Sequence, residues 1–112
     1  MGTTATQPAL VHLEFTPDED LPLLQGRITA TLRTKLLGRP GDYFYAGRTG
    51  MRCTITSIRG LAVGPAAVMY YNRMGFESPE RFLTFWRRIH PYIGHDLTRR
   101  AFLYEFTCEG VV

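Results

Sequence analysis

Gly26-Arg27-Ile28-Thr29-Ala30-Thr31-Leu32-Arg33 is the stretch from which the rest of the chain can be read. Successive side chains of a strand point to opposite faces. As a strand, this segment places Arg27, Thr29, Thr31 and Arg33 on one face and Ile28, Ala30 and Leu32 on the other. The apolar face suits a core. The other face carries two guanidinium groups with two hydroxyls between them, which suits either open solvent or an anionic, hydrogen-bonding ligand.

The flanks supply the neighbouring elements. Upstream, Val11, Leu13 and Phe15 alternate with His12 and Glu14, the pattern of a first strand. Asp18-Glu19-Asp20 before Leu21-Pro22-Leu23-Leu24 predicts a short helix, stopped by Gly26. Downstream, Gly38-Arg39-Pro40-Gly41 is a loop, Asp42 to Ala46 an aromatic strand, and Gly47-Arg48-Thr49-Gly50 a hairpin turn. Met51 to Ile58 alternates, yet neither of its faces is cleanly apolar. Pro65 opens a predicted helix over residues 66–73, closed by Gly75. Ser78-Pro79-Glu80 starts another, with Ser as N-cap and an apolar stripe of Phe82, Phe85, Trp86 and Ile89 that ends at His90-Pro91. Residues 100–108 form the last strand, with Phe102, Tyr104, Phe106 and Cys108 on one face. This order, without repeats, predicts an α+β fold: a small curved barrel of about five to six strands decorated by about three helices.

The chain has 112 residues, of which 45% are hydrophobic and 21% charged, a balance that predicts one folded domain over residues 9–112 behind a frayed 1–8. Its charge is unevenly placed. Residues 1–20 carry Glu14, Asp18, Glu19 and Asp20 and no basic residue. Residues 21–76 carry Arg27, Arg33, Lys35, Arg39, Arg48, Arg52, Arg59 and Arg73 against Asp42 alone, and the remainder is balanced. A basic middle of this kind is the electrostatic footprint of a phosphate-bearing partner. Twelve of the thirteen basic residues are Arg, which binds phosphate bidentately and stacks on bases. Cys53 and Cys108 lie far apart in strand-like runs and are expected as buried free thiols. No apolar run approaches the roughly 18–20 residues of a membrane span, so a soluble cytoplasmic protein without membrane contact is expected. His12, His90 and His95 lack metal-ligand spacing, and no nucleotide or hydrolase fingerprint is present, so neither metal nor cofactor is expected.

Three segments resemble the ASCH domains, a branch of the PUA-like superfamily. Gly26 to Arg33 is similar to that family's Gly-x-Lys-Thr-x-Thr-x-Arg run. Arg39-Pro40-Gly41-Asp42 is similar to its Pro-Gly-Asp turn, and Gly75-Phe76-Glu77-Ser78 followed by Trp86 to its Gly-Phe-x-Ser helix start. The resemblance implies a PUA-like barrel with a cleft beside the Thr-x-Thr-x-Arg strand and a ligand that is RNA or a modified nucleoside. Some small bacterial relatives hydrolyse N4-acetylcytidine with a Lys, a Thr and a Glu. The Thr carries over to Thr31, whereas the Lys position holds Ile28 and the Glu position falls at Arg73-Met74. Ile and Met can neither take a proton nor polarise a carbonyl, and Arg73 is protonated at neutral pH. Thr31 is therefore the one catalytic candidate, and Glu77 the nearest carboxylate.

The reading that follows is an RNA- or modified-nucleoside-binding module. Its expected contact residues are Arg27, Thr29, Thr31, Arg33, Lys35, Tyr45, Arg48, Arg52, Tyr71 and Arg73: the cations for phosphate, the hydroxyls for base or ribose, the tyrosines for stacking. Tyr43 and Tyr70 are further stacking candidates, with at least half of these aromatics expected in the core. Two alternatives stand beside it: a nucleoside-processing hydrolase or nuclease with a divergent site, and a protein-interaction module that turns its basic face to an acidic partner.

Overall fold

The computed structural model describes residues 7–111, so most of the segment expected to fray lies outside the described residues. Four strands form one antiparallel sheet: β1 (Ala30–Arg33), β2 (Tyr43–Tyr45), β3 (Arg52–Ala62) and β4 (Arg100–Cys108), in the order β1-β4-β3-β2. Three α-helices accompany them: α1 (Asp20–Leu24), α2 (Val63–Tyr70) and α3 (Pro79–Ile89). The sheet curls into a half-barrel. The fold is α+β as expected, with four strands among the described residues rather than the five to six predicted.

The missing strand is residues 11–15. Its alternation is real, since Val11, Leu13 and Phe15 are buried while His12 and Glu14 are exposed. The backbone, however, joins the sheet only through a parallel bridge of Leu10 to Tyr43, with Val11 N–H donating to Tyr43 C=O at 2.8 Å. Side-chain periodicity reports burial on one side, which an extended segment achieves without a ladder.

β4 is a central strand and feeds two cores, as its alternation predicts. Tyr104, Phe106 and the flanking Phe102 and Cys108 face the inside of the curl, with Phe15, Leu23, Ile28, Phe44 and Ile55. Ala101 and Leu103 face the other way, against Val63, Ala66, Ala67, Phe82 and Trp86 of the helical layer. The mixed facing of β3 has a local cause. A bulge falls between Ile55, opposite Phe106, and Ser57, opposite Glu105. The extra residue resets the alternation, so Ile55 and Ile58, three apart, pack on the same cluster.

Helix α3 starts as its sequence dictates: Ser78 accepts a hydrogen bond from Arg81 N–H at 3.1 Å and Pro79 occupies the first turn. Helix α2 begins at Val63, three residues earlier than expected, and ends at Tyr70. The turn after it brings the Arg73 carbonyl against both Thr29 N–H (2.8 Å) and Ala30 N–H (3.1 Å). Gly75 closes this turn at φ 91°, and a Cβ there would stand 2.8 Å from the Ile28 side chain. Glycine is thus required twice over, for its backbone angle and for the close approach.

The expectation of free thiols is corrected. Cys53 and Cys108 face each other across β3 and β4, and their sulfurs are bonded. Fifty-five residues of sequence separation conceal this adjacency, because antiparallel pairing returns the chain to its start. No helix of the described residues is long and apolar enough to cross a membrane.

Candidate functional site

Strand β1 is shorter than its sequence pattern suggests, and this redistributes the polar row. Pairing with β4 begins at Ala30. Thr31 and Arg33 lie opposite Tyr104 and Phe102, on the inner side of the curl at its open edge. Thr29 and Arg27 precede the strand and do not share that face.

Arg33 is half-buried. Its Nε donates to Thr31 Oγ1 at 3.0 Å and its Nη2 to the Glu14 carbonyl at 2.6 Å. The guanidinium carbon stands 5.0 Å from the Phe15 ring centroid. Among the described residues Nη1 has no hydrogen-bond partner and no carboxylate forms an ion pair with Arg33. Burial lowers the pKa of this group, with Glu19, Tyr104 and Glu14 acting in the opposite sense through space. An arginine remains charged regardless. Arg33 thus keeps one unbonded guanidinium N–H at the site, with Glu19 and Glu14 acting on it through space but forming no ion pair with it among the described residues.

Arg33 opens into a cavity of about 410 Å³ between β1, the 14–19 segment and the end of α3. One wall is Thr31, Arg33 and Lys35, and the facing wall is Phe85, Ile89 and His90. Burial, then the charges of Arg33 and Arg99, hold the His90 pKa below its usual value, so this ring is neutral at neutral pH and offers one donor and one acceptor. The loop carrying Lys35 is fixed from beneath. The buried Tyr104 hydroxyl donates to Lys35 C=O at 2.7 Å and accepts from Leu37 N–H at 2.6 Å.

A second cavity, of about 330 Å³, adjoins the first and shares Thr16, Glu19 and Phe85 with it. Its apolar wall is Ile28, Met74 and Phe76, and Arg81 and Arg88 stand at its edge. Ile28 and Met74 are thus brought together in space, and both are apolar. Both cavities fall in the size range of small-molecule sites, roughly 300–1,000 Å³.

The remaining candidates are dispersed. Thr29 Oγ1 accepts from Arg73 Nε at 3.1 Å, and Arg73 Nη1 pairs with Glu105 at 2.5 Å. Arg59 (2.8 Å) and the Ser57 hydroxyl (2.8 Å) complete the shell of that carboxylate, and the Tyr70 hydroxyl bonds Arg59. Burial pushes the Glu105 pKa up, but Ser57, Arg73 and Arg59 outweigh it and leave it below the ordinary carboxylate value. Arg48 grips Asp20 through Nε (2.8 Å) and Nη2 (2.9 Å) and also bonds the Phe15 carbonyl. Arg27 is exposed and bonds Gln25. Arg52 lies over the Tyr43 ring at 3.9 Å, with Tyr45 set edge-on to Tyr43 and half exposed. Tyr71 packs on the helical core. Of the predicted contact residues, Thr31, Arg33 and Lys35 meet at one cavity. Sequence reasoning missed Glu19, Phe85 and His90; for Phe85 the width of the α3 stripe was the available signal, since Phe82, Trp86 and the partly buried Leu83 already pack on the core.

No protein-family model matches the chain, and no curated protein is significantly similar to it. Solved structures are. An ASCH domain from Lactobacillus crispatus superposes with a TM-score of 0.63 at 14% identity, covering 90% of this chain and 79% of that one. An ASCH protein from Zymomonas mobilis gives 0.60 at 13%, covering 88% and 66%. The hypothetical protein PH0355 gives 0.66 at 11%, covering 89% and 96%. The fold is similar to that of these ASCH structures. At this level of identity the likeness defines the ASCH-like architecture and leaves the chemistry to the residues present.

Proposed function

We propose that this ASCH-like protein is an RNA-binding module that seats a phosphate of single-stranded RNA against Arg33 and Lys35, with the adjoining nucleoside in the cavity walled by Thr31, Phe85 and His90. The observation that carries this reading is the half-buried Arg33 guanidinium, which has a free Nη1 and no ion pair among the described residues. Guanidinium and phosphate match in geometry as well as charge. The ASCH-like architecture of the neighbours and the basic middle of the chain support the same ligand class. Ile28 and Met74 favour binding over hydrolysis, since neither can activate a nucleophile.

Fluorescence anisotropy with a short labelled single-stranded RNA at two salt concentrations tests it. Arg33→Ala should weaken binding by about tenfold or more, and Lys35→Ala should flatten the salt dependence by about one phosphate contact. Arg27→Ala, outside the cavity, serves as the control. Unchanged affinity in a folded Arg33→Ala protein would overturn the proposal.

A further inference from the structure

Strand β1 is at the edge of the sheet, paired with β4 on one side and open on the other. In an antiparallel pair, alternate residues turn N–H and C=O toward the partner strand and away from it. Two bonds fix the phase here. Phe106 N–H donates to Thr29 C=O at 3.1 Å, toward β4, whereas Ala30 N–H donates outward, to the Arg73 carbonyl at 3.1 Å. Thr31 and Arg33 therefore bond into the sheet, and Leu32 turns both its N–H and its C=O outward, where neither has a partner among the described residues. Leu32 is nonetheless buried, at 5% exposure. Its side chain belongs to the helical-layer cluster of Phe82 and Trp86. What it gives to the cavity wall, between Thr31 and Arg33, is this backbone edge.

Water can serve an open edge in an empty cavity. A ligand that fills the cavity displaces that water and must replace both bonds, because a buried backbone group left unpaired is costly. The N–H and C=O of one extended residue stand side by side, a donor next to an acceptor. Phosphate oxygens are acceptors; they match the N–H and oppose the C=O, so the phosphate belongs at Arg33 and Lys35 and another part of the ligand at Leu32. The complement of this edge is an acceptor beside a donor. A nucleobase carries that pair on a planar ring whose faces suit the Phe85 and Ile89 side of the cavity.

Resting on the RNA-binding reading above, we infer that the Leu32 backbone is the base-binding edge of the site: the base beside the bound phosphate exchanges two hydrogen bonds with Leu32 N–H and C=O. Every standard base has a donor next to an acceptor, so this contact does not choose among bases. It chooses unpaired bases, and refuses one whose donor is taken by pairing or by methylation.

Uracil makes the test independent of how the base is turned. Its nucleotide has one base N–H, at N3, with a carbonyl on either side. The full chain is titrated with UMP, N3-methyl-UMP and ribose 5-phosphate, followed by amide NMR and hydrogen exchange. UMP should bind about tenfold tighter than N3-methyl-UMP. In the free protein the Leu32 amide should exchange faster than those of Thr31 and Arg33, and UMP should shift it downfield and protect it. Equal affinity for UMP and N3-methyl-UMP, a Leu32 amide as protected in the free protein as its neighbours, or one that UMP leaves unchanged would each overturn the base-edge role. Ribose 5-phosphate binding that is lost in Arg33→Ala would in that case leave the phosphate site standing. Failure of both UMP and ribose 5-phosphate to bind would overturn the phosphate reading and this inference with it.

Discussion

Removing one oxygen, by Tyr104→Phe, should loosen the site without touching any wall of it. The Tyr104 ring is fully buried, and Phe fills the same volume, so no cavity opens. What is lost is the tie between β4 and the loop after β1: the bond donated to Lys35 C=O and the bond accepted from Leu37 N–H. The phenol is a dependable donor, because burial raises its pKa, against smaller opposing effects of Leu37 N–H and Arg33. Lys35 and Leu37 lie at the surface, where water can partly replace the lost partner. The expected cost is therefore about 1–2 kcal/mol, the lower part of the range for two hydrogen bonds with stranded partners. For a domain of this length each kcal/mol lowers the melting temperature by about 4–5 °C. Thermal unfolding should therefore shift down by about 4–10 °C, and hydrogen exchange at the Leu37 amide should accelerate. RNA affinity should also fall, since Lys35 loses its fixed placement. An unchanged melting temperature together with unchanged Leu37 protection would refute the view that this hydroxyl organises the loop.

Glu105→Gln should destabilise the protein at neutral pH and flatten its acid response. A carboxylate with a depressed folded-state pKa contributes stability above its unfolded pKa, about 4.3, and loses it as pH falls through the folded value. Melting curves of wild type and variant that run parallel from pH 7 to pH 3 would contradict this. Arg48→Ala should lower the melting temperature and leave RNA affinity unchanged, because that guanidinium is held by Asp20 and the Phe15 carbonyl; a loss comparable with Arg33→Ala in anisotropy would place Arg48 on the interface instead. Reducing the Cys53–Cys108 bond frees a loop of 55 residues in sequence separation, and loop-closure entropy sets an upper cost of about 4 kcal/mol. A melting temperature insensitive to dithiothreitol would show that the bond carries no such load.

Much of the architecture was legible because it rests on local rules. The Ser78-Pro79 start of α3, the Gly26 stop after α1 and the two-faced alternation of β4 are each fixed by a few neighbouring residues, and the structure has all three. What escaped depends on pairing across the chain. The bulge after Ile55 resets the facing of β3, and the register that sets Cys53 opposite Cys108 cannot be seen from either cysteine alone. The site divides in the same way. Thr31, Arg33 and Lys35 follow from position on one strand and its exit loop. Thr29 left the row because β1 begins one residue later and the Arg73 carbonyl occupies its backbone. Arg48 and Arg73 read as free cations in sequence, yet their carboxylates come from 28 and 32 residues away. Net charge says how many cations there are; only the fold says which remain unneutralised.

The central claim is that the cavity beside β1 is where RNA phosphate binds. Amide chemical-shift mapping during titration with a short single-stranded RNA tests it most directly. The account predicts that the shifts concentrate at Thr31 to Lys35, at Phe85 to His90 and around Thr16 to Glu19, and that Arg33→Ala abolishes them. Shifts confined to the Tyr43, Tyr45 and Arg52 surface, with β1 silent, would contradict it.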